Sequence, residues 1–303
     1  MLVGYSKELL ILAFDHRGSF QKKLFGIEGV PTPEQTIEIS AYKRIIYAGF
    51  ERAIQQGVPK ASAGILIDEQ FGSPILEDAK RKGYTFAMPI EKSGQNEFDF
   101  EYGTDYAKHI EHFNPSFAKV LVRYNPEDDS ELKKRQQARL KQLTRYLHDQ
   151  GRLFLFELLV PASEKQLREA GGNTETFDEH IRPKLMIQCM SELQQAGVQP
   201  DVWKLEGLVN ESDVQAVVRQ ARSNLTNAGI VTLGRGANDE KVRQWLKASS
   251  GIAGVIGFAV GRTIFWDALN GFKEQKHSSE QAVQMIADKY AEFVRVWKAG
   301  KGE

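Results

Sequence analysis

The chain has 303 residues, of which 41% are hydrophobic and 26% are charged. This composition is typical of globular proteins and excludes a disordered or collagen-like chain. Forty Lys and Arg residues balance forty Asp and Glu residues, so no overall charge attracts nucleic acid or an anionic membrane surface. The single cysteine, Cys189, excludes an internal disulfide and, in its predicted helix, is expected to be a buried hydrophobic side chain. These properties favour a soluble protein of the reducing cytoplasm, without nucleic-acid or membrane partners.

Eight short apolar runs follow one another along the chain and alternate with stretches of helical pattern. This alternation predicts repeated βα units and a parallel sheet. The first run, Leu9 to Phe14, is too short for a signal peptide or a membrane span and predicts a strand. The predicted strands are 8–14, 64–68, 84–88, 117–124, 153–160, 202–206, 229–233 and 253–259.

Eight strands and about eight helices in one uninterrupted chain predict an α/β fold, a single (β/α)8 TIM barrel, with a doubly wound open sheet as the second choice. Because no Gly/Ser linker or internal repeat divides the chain, we predict one domain over residues 1–303. Its core strands are expected over about 8–259 and a C-terminal helix over about 278–298. Segment 91–105 is predicted as a loop over one end of the barrel, either a lid or irregular packing.

Charged residues occur within the predicted strands and at their carboxyl ends. Alternate residues of a strand share a face, so Lys119 and Arg123 are expected to point the same way, as are Lys204 and Glu206. In this barrel the carboxyl ends of the strands surround one mouth, which is where its active sites lie. The residues expected to meet there are Asp15, Asp68, Lys119, Arg123, Glu157, Lys204 and Glu206.

Lys204 has the strongest signal, because VWKLE places its ammonium within an apolar strand, and burial lowers the pKa of a lysine. It is a candidate imine-forming nucleophile, and a charged Lys119 nearby would lower its pKa further. Glu157, within LFLFELLV, is a candidate proton shuttle. Each of these three could instead be a charge-paired structural residue. Asp15 and Asp68 follow strands and either bind substrate hydroxyls or cap the next turn.

Two glycine-bearing turns, GRGAND after the seventh strand and GFAVGRT after the eighth, indicate a phosphate site. In many barrels these turns supply backbone N–H groups to a phosphate, although ordinary loop glycines are the alternative. The chain has no dinucleotide-binding glycine motif, P-loop or nucleophile elbow, and its histidines are too scattered to predict a metal site. The residues predicted for the phosphate site are Gly234, Arg235, Gly236, Gly257, Gly261 and Arg262.

Seven segments together resemble the aldolase domain that many bacteria carry fused behind 5-dehydro-2-deoxygluconokinase in inositol catabolism. The segments are LAFDHRGSF, ILIDEQFG, VLVRYNPEDD, FELLVPAS, VWKLEGL, LGRGANDEKVRQWL and GFAVGRTIFWD. The likeness runs from about residue 8 to 297 and keeps the order of the motifs. More distantly, the chain is similar to the class I tagatose-bisphosphate and sulfofructose-phosphate aldolases.

The resemblance implies a metal-independent Schiff-base lyase without a cofactor. It implies cleavage of 2-deoxy-5-keto-gluconate 6-phosphate into dihydroxyacetone phosphate and malonate semialdehyde. In the resemblance to this family, Lys204 matches the family's imine-forming lysine, and Glu157 matches its acid/base glutamate. Asp15 and Lys119 match polar positions that contact the substrate, and the two glycine turns match the phosphate site. The kinase half is missing from the chain, so another phosphorylated ketose stays open as the substrate.

The substrate-binding residues and the function each leave more than one interpretation. Arg123 or Arg17 is expected to bind the terminal carboxylate of the substrate, since a planar guanidinium suits that group. Asp68 and Glu206 are further candidates for substrate contacts. A non-catalytic phosphosugar-binding barrel and a metal-dependent aldolase remain as alternatives, and the sequence leaves a homo-oligomer open.

Overall fold

Eight parallel strands close into one barrel in the computed structural model, which describes residues 3–302. Each strand pairs with the next in the chain, and the last pairs with the first. This closure confirms the predicted single (β/α)8 barrel and excludes the open sheet, in which the two edge strands would not pair. The strands are β1 (Leu9–Ala13), β2 (Ala63–Leu66), β3 (Thr85–Pro89), β4 (Phe117–Arg123), β5 (Leu153–Leu159), β6 (Val202–Glu206), β7 (Gly229–Leu233) and β8 (Val255–Val260).

Helices connect the strands and surround the barrel. The helices are α1 (Gly18–Phe25), α2 (Pro33–Gln55), α3 (Glu69–Lys82), α4 (Tyr106–Phe113), α5 (Ser130–Asp149), α6 (Glu164–Glu169), α7 (Thr174–Thr176), α8 (Arg182–Gln195), α9 (Glu211–Ala221), α10 (Asp239–Ser250), α11 (Arg262–Lys273) and α12 (Ser279–Lys301). A π-helical turn, Phe177–Ile181, joins α7 to α8. Helix α2 begins with Thr32 as its cap, whose hydroxyl accepts the N–H of Gln35, and with Pro33 in its first turn.

The strand positions follow the sequence prediction closely, with one informative difference. The predicted runs 202–206 and 229–233 coincide with β6 and β7. The predicted run 64–68 is wrong at its end, because β2 stops at Leu66. Asp68 instead caps α3, where its Oδ1 accepts the N–H of Phe71 at 2.9 Å. The carboxylate therefore satisfies a helix terminus and does not continue the strand.

The core has two apolar layers, and the inner one forms the floor of the mouth. Even-numbered residues of β1 such as Leu10 and Leu12 pack outward against the helices. Alternate residues of each strand fill the barrel interior, as the period of two requires. The inner layer contains Leu9, Ile11, Ala13, Leu66, Ala87, Phe117, Leu155, Val202, Val231, Ile256 and Ala259. Further along several strands, toward their carboxyl ends, the next inward positions carry charged side chains.

Helix α12 packs against α2 and is hydrogen-bonded to a strand of the barrel. The hydroxyl of Tyr290 donates a hydrogen bond to the carbonyl of Leu10 at 2.6 Å, which ties α12 to β1. Gly49 of α2 lies against Ile286, where an added Cβ would come within 2.6 Å of the isoleucine side chain. None of the helices between residues 3 and 302 combines the length and the apolar run needed to cross a membrane.

Candidate active site

A cavity of about 950 Å³ opens at the carboxyl ends of the barrel strands. Its volume lies in the range of small-molecule sites, which is about 300–1,000 Å³. It brings together ten of the fourteen residues that the sequence analysis proposes for the catalytic, substrate and phosphate positions. The ten are Asp15, Arg17, Lys119, Arg123, Glu157, Lys204, Arg235, Gly236, Gly261 and Arg262.

Two lysines meet at one carboxylate in the base of this cavity. Lys204 Nζ lies 2.9 Å from Glu157 Oε2, and Lys119 Nζ lies 3.0 Å from the same oxygen. Lys119 also contacts Asp15 Oδ2 at 2.8 Å and Glu91 Oε1 at 2.8 Å. All five side chains are at least nine-tenths buried. The cluster is therefore a compact ionic centre, with two ammonium groups among three carboxylates.

Strand register explains why these side chains converge. Glu157 of β5 pairs with Lys204 of β6 across the sheet, and Lys119 of β4 lies opposite Leu155, one inward position before Glu157. Because alternate residues of each barrel strand point inward, neighbours at these positions reach the same interior volume. The expected alternation is thus confirmed for the pair Lys119 and Arg123, which both line the cavity.

The charges of the centre determine the protonation of its members. Burial opposes ionisation of Asp15 and Glu157, but the charges of Lys119 and Lys204 hold both carboxyl pKa values below their usual range. Burial likewise opposes the charge of Lys119, yet its three carboxylate neighbours raise its pKa above the ordinary lysine value. Lys119 therefore stays protonated at neutral pH, whereas Lys204 pairs with one carboxylate among the residues of 3–302.

Glu91 is a member of the centre that the sequence analysis did not single out. Burial raises the pKa of its carboxyl, against the effect of Lys119 and Arg17. Its Oε2 is buried and has no hydrogen-bond partner among the described residues. A signal for it exists in the sequence, because Glu91 follows Ala87 and Pro89 at the inward-facing positions of β3 and its extension.

The loop 91–105 borders the cavity and accepts hydrogen bonds from two arginines. Arg17 donates to Glu101 Oε2 at 2.9 Å and to the carbonyl of Glu91 at 2.6 Å. Arg123 donates from Nη1 to the carbonyl of Gln95 at 2.6 Å. Glu91 and Phe100 form an antiparallel bridge that folds the loop back on itself. The loop lies at the mouth as predicted, and the arginine contacts attach it to β1 and β4.

Each of the two glycine turns contributes one arginine to the cavity lining, and only one of these arginines, Arg235, is paired with carboxylates in residues 3–302. Arg262 Nη2 donates to the carbonyl of Arg235 at 3.0 Å, and its Nε is buried without a partner among the described residues. Gly236, with φ 70°, lies beside this guanidinium, where an added Cβ would come within 2.5 Å of Nη2. Arg235 has φ 51° and binds Asp178 Oδ2 at 2.8 Å and Glu206 Oε1 at 3.1 Å.

Four predicted residues lie outside the lining of this cavity. Glu206 is buried and paired with Arg235 and Arg182, and its Oε2 accepts the N–H of Val160 at 3.0 Å. Gly234 packs against the side chain of Val260, and Gly257 of β8 lies against the backbone of Leu9. Asp68 is fully buried beneath the β1–α1 turn, where it pairs with Lys43 of α2. The structure thus gives Asp68 and Glu206 structural partners in place of the expected substrate contacts.

Lys43, which the sequence analysis did not propose, fixes the turn that carries Asp15, His16 and Arg17. Its ammonium is fully buried and donates to the carbonyls of Phe14 at 2.9 Å and His16 at 3.0 Å. Nothing in a helical stretch such as AYKRIIY distinguishes this lysine from a solvent-exposed one.

Replacing Lys43 by Met is expected to lower the free energy of unfolding by about 3–5 kcal/mol, because it leaves a buried carboxylate without its charge partner. Urea unfolding measures this loss. The double variant Lys43→Met/Asp68→Asn should lose less than the two single variants together, since no buried charge remains. Lys82→Met, which removes the half-exposed pair with Glu51, is the control and should cost about 1 kcal/mol or less. A loss that small for Lys43→Met would contradict the role given to Lys43.

Cys189 of α8 is fully buried, as predicted, and its thiol contacts the carbonyl of Tyr124 at 3.4 Å. Burial raises the pKa of the thiol above its ordinary value. The cysteine is therefore a core residue and not a nucleophile.

The fold and the cavity define a TIM-barrel protein whose architecture is compatible with an aldolase-like enzyme. The chain belongs to the family described as "Uncharacterized protein conserved in bacteria (DUF2090)", whose model matches residues 4–301. Among solved structures it is similar to Cgl0159 from Corynebacterium glutamicum (Brevibacterium flavum), with a TM-score of 0.57 and 16% identity over 96% of this chain and 88% of that chain. At this identity the likeness supports the fold alone. No curated protein matches the chain.

Proposed function

We propose that this protein is a class I aldolase that forms a Schiff base between Lys204 and the ketone of a phosphorylated keto sugar. The observation that carries the proposal is the 2.9 Å contact between Lys204 Nζ and Glu157 Oε2 inside the cavity. A carboxylate beside a buried lysine can relay protons from that lysine to the ketone oxygen, so that the amine attacks the carbonyl carbon. Lys119 is unsuited to this role, because three carboxylates favour its charged form.

The cleavage step follows from the same geometry. Lys204 adds to the ketone carbon, Glu157 relays two protons of the lysine's ammonium group to the ketone oxygen, and loss of that oxygen as water gives an iminium and leaves Glu157 as a carboxylate. Glu157 then accepts the proton of the hydroxyl on the far carbon of the bond to be broken. As that bond breaks, its electron pair moves into the iminium to give an enamine, and the hydroxyl-bearing carbon leaves as an aldehyde. Glu157 returns a proton to the enamine carbon, and water releases dihydroxyacetone phosphate from Lys204.

We propose 2-deoxy-5-keto-gluconate 6-phosphate as the substrate, with malonate semialdehyde as the second product. Its two ends are anionic, and the cavity lining supports such a ligand with eight basic and five acidic side chains in a chain of zero net charge. Arg123 is favoured over Arg17 for the terminal carboxylate, because Glu91 and Glu101 already occupy the guanidinium of Arg17. The same excess of basic residues favours one second candidate, a class I aldolase for another dianionic ketose such as a bisphosphate or a sulfonated phosphate.

We place the phosphate at the turns after β7 and β8, with Arg262 as its charged partner. Arg262→Gln is expected to weaken the binding of inorganic phosphate by about 10-fold or more, because a charge-assisted hydrogen bond is lost. Arg235→Gln is the matched variant and should weaken it by less than about threefold, since Asp178 and Glu206 already engage that guanidinium. Calorimetry on both variants measures the difference. Equal losses would contradict the assignment.

One assay tests the proposed reaction and separates its rivals. Release of dihydroxyacetone phosphate is followed with candidate ketose phosphates, each in excess chelator. We expect release from 2-deoxy-5-keto-gluconate 6-phosphate, or from a second dianionic ketose if that candidate is right. Binding without release from any sugar would favour a non-catalytic barrel, and loss of activity in chelator would favour a metal-dependent aldolase.

We further propose that residues 1–303 act as one catalytic domain in a reducing cytoplasm. The barrel strands that form the cavity span Leu9 to Val260, and α12 packs back on α2. The single cysteine supports the reducing compartment.

A further inference from the structure

His16 belongs to the cavity wall but has no part in the reaction proposed above. It follows Asp15 in the β1–α1 turn and lines the cavity. Its ring lies edge-on to Phe265 of α11, with centroids 6.1 Å apart and planes at 70°. On another side it approaches Gly261, where an added Cβ would be 3.2 Å from Cε1 of the histidine. The ring therefore lies between β1 and the turn that begins α11.

One nitrogen of this ring lacks a hydrogen-bond partner. Nδ1 of His16 is buried and makes no hydrogen bond within residues 3–302. A buried polar atom without a partner is unfavourable, and a bound ligand that supplies one removes that cost. The backbone of the same residue is well held, because its carbonyl accepts a hydrogen bond from Lys43 at 3.0 Å. The ring is thus positioned before any ligand arrives.

The surroundings of His16 keep its imidazole neutral. Burial lowers the pKa of the ring to about 4, and the charges of Arg262, Lys204 and Lys43 act in the same direction against that of Asp15. A neutral imidazole has one N–H donor and one acceptor nitrogen. A fully ionised phosphate or carboxylate only accepts hydrogen bonds, whereas a hydroxyl group both donates and accepts. The ring is therefore matched to a hydroxyl.

We propose that His16 determines specificity by binding the hydroxyl on the carbon next to the substrate ketone. The inference rests on the proposed function, in which Lys204 takes the ketone carbon and Arg262 the phosphate. The charge of Lys204 acts on the ring, and the ring approaches Gly261, which precedes Arg262, so His16 lies near the two carbons bonded to the ketone carbon. One of these carbons carries the phosphate that is assigned to Arg262, and the other carries the hydroxyl that remains on dihydroxyacetone phosphate after cleavage.

The test compares two phosphates that differ in this hydroxyl alone. Dihydroxyacetone phosphate carries it, and hydroxyacetone phosphate has a hydrogen in its place, so that a methyl group replaces the hydroxymethyl group. Calorimetry of each ligand with the wild type, His16→Phe, His16→Ala and His16→Gln gives the ratio of affinities. We expect the wild type to bind dihydroxyacetone phosphate about 10 times more tightly than hydroxyacetone phosphate, because one or two neutral hydrogen bonds contribute about that factor. This ratio should fall to about 1 in the Phe and Ala variants and remain intermediate with Gln, whose amide also donates and accepts.

Arg262→Gln is the control, because it should weaken both ligands alike and keep the ratio. A wild-type ratio near 1, or an unchanged ratio in both His16→Phe and His16→Ala, would overturn the role of His16. Borohydride trapping with dihydroxyacetone phosphate is read separately. If the wild type discriminates between the ligands but forms no adduct on Lys204, the Schiff-base reaction is refuted and the hydroxyl contact is supported. If an adduct forms on Lys204 but the two ligands bind equally well, the Schiff-base reaction is supported and the hydroxyl contact is refuted.

Discussion

Lys204→Met is expected to reduce aldolase turnover to below about one per cent of the wild-type rate, because it removes the amine that forms the imine. Met keeps the length and the apolar stem of the side chain but has no nucleophilic nitrogen. The fold should survive, since Glu157 retains Lys119 at 3.0 Å as a charge partner. Phosphate binding should stay close to that of the wild type, because the proposed phosphate site lies in the turns after β7 and β8 and Lys204 is on β6.

Steady-state assays with dihydroxyacetone phosphate release, together with calorimetry of phosphate, measure both effects. Lys92→Met is the matched control, because Lys92 also lines the cavity but is half-exposed and paired with Asp99. It should keep turnover within about threefold of the wild type. If Lys204→Met retains more than a few per cent of the activity, the assignment of the imine lysine is wrong.

Glu157→Gln is expected to slow turnover by about 100-fold or more, because general acid–base catalysis by a placed side chain contributes roughly that much. Gln is nearly isosteric and can still accept hydrogen bonds from Lys204 and Lys119. It cannot take the proton of the substrate hydroxyl, so bond cleavage and enamine protonation both lose their proton carrier.

The affected step can be identified by comparing kcat with KM and by trapping the imine. The variant should lose most of its kcat, with a smaller change in KM, and should still form a trapped adduct with dihydroxyacetone phosphate. A near-normal kcat would move the acid–base role to Asp15 or Glu91, the other carboxylates of the centre. Glu206 is not a replacement, because Arg182 and Arg235 neutralise it outside the cavity lining.

The barrel and much of its charged centre follow from local rules. Apolar runs of five to eight residues separated by helical stretches define strands in chain order, and closure is the simplest arrangement of eight of them. The alternation of side chains then selects Lys119, Glu157 and Lys204, because each lies an even number of residues from an apolar inward neighbour. Such reasoning needs a correct strand end, and the predicted end at residue 68 is wrong because β2 stops at Leu66. For Asp68 itself the alternation left a substrate contact and a cap of the next turn open, and the structure shows the cap.

Other features depend on residues far apart in sequence. Glu206 lies at the end of β6 as predicted, but its environment is set by Arg182 of α8 and by Arg235 in the turn after β7. Lys43 reaches the β1–α1 turn from a helix whose sequence reads as an ordinary amphipathic one. Pairings of this kind are fixed by tertiary packing, so composition and periodicity carry no signal for them.

The most direct test of the central claim is the mass of the protein after reduction by borohydride in the presence of dihydroxyacetone phosphate, followed by peptide mapping. Formation of an iminium predicts one stable adduct per chain, located on Lys204 and absent from Lys204→Met. An adduct on Lys119 or Lys43, or no adduct while dihydroxyacetone phosphate is bound, would contradict the proposed Schiff-base chemistry.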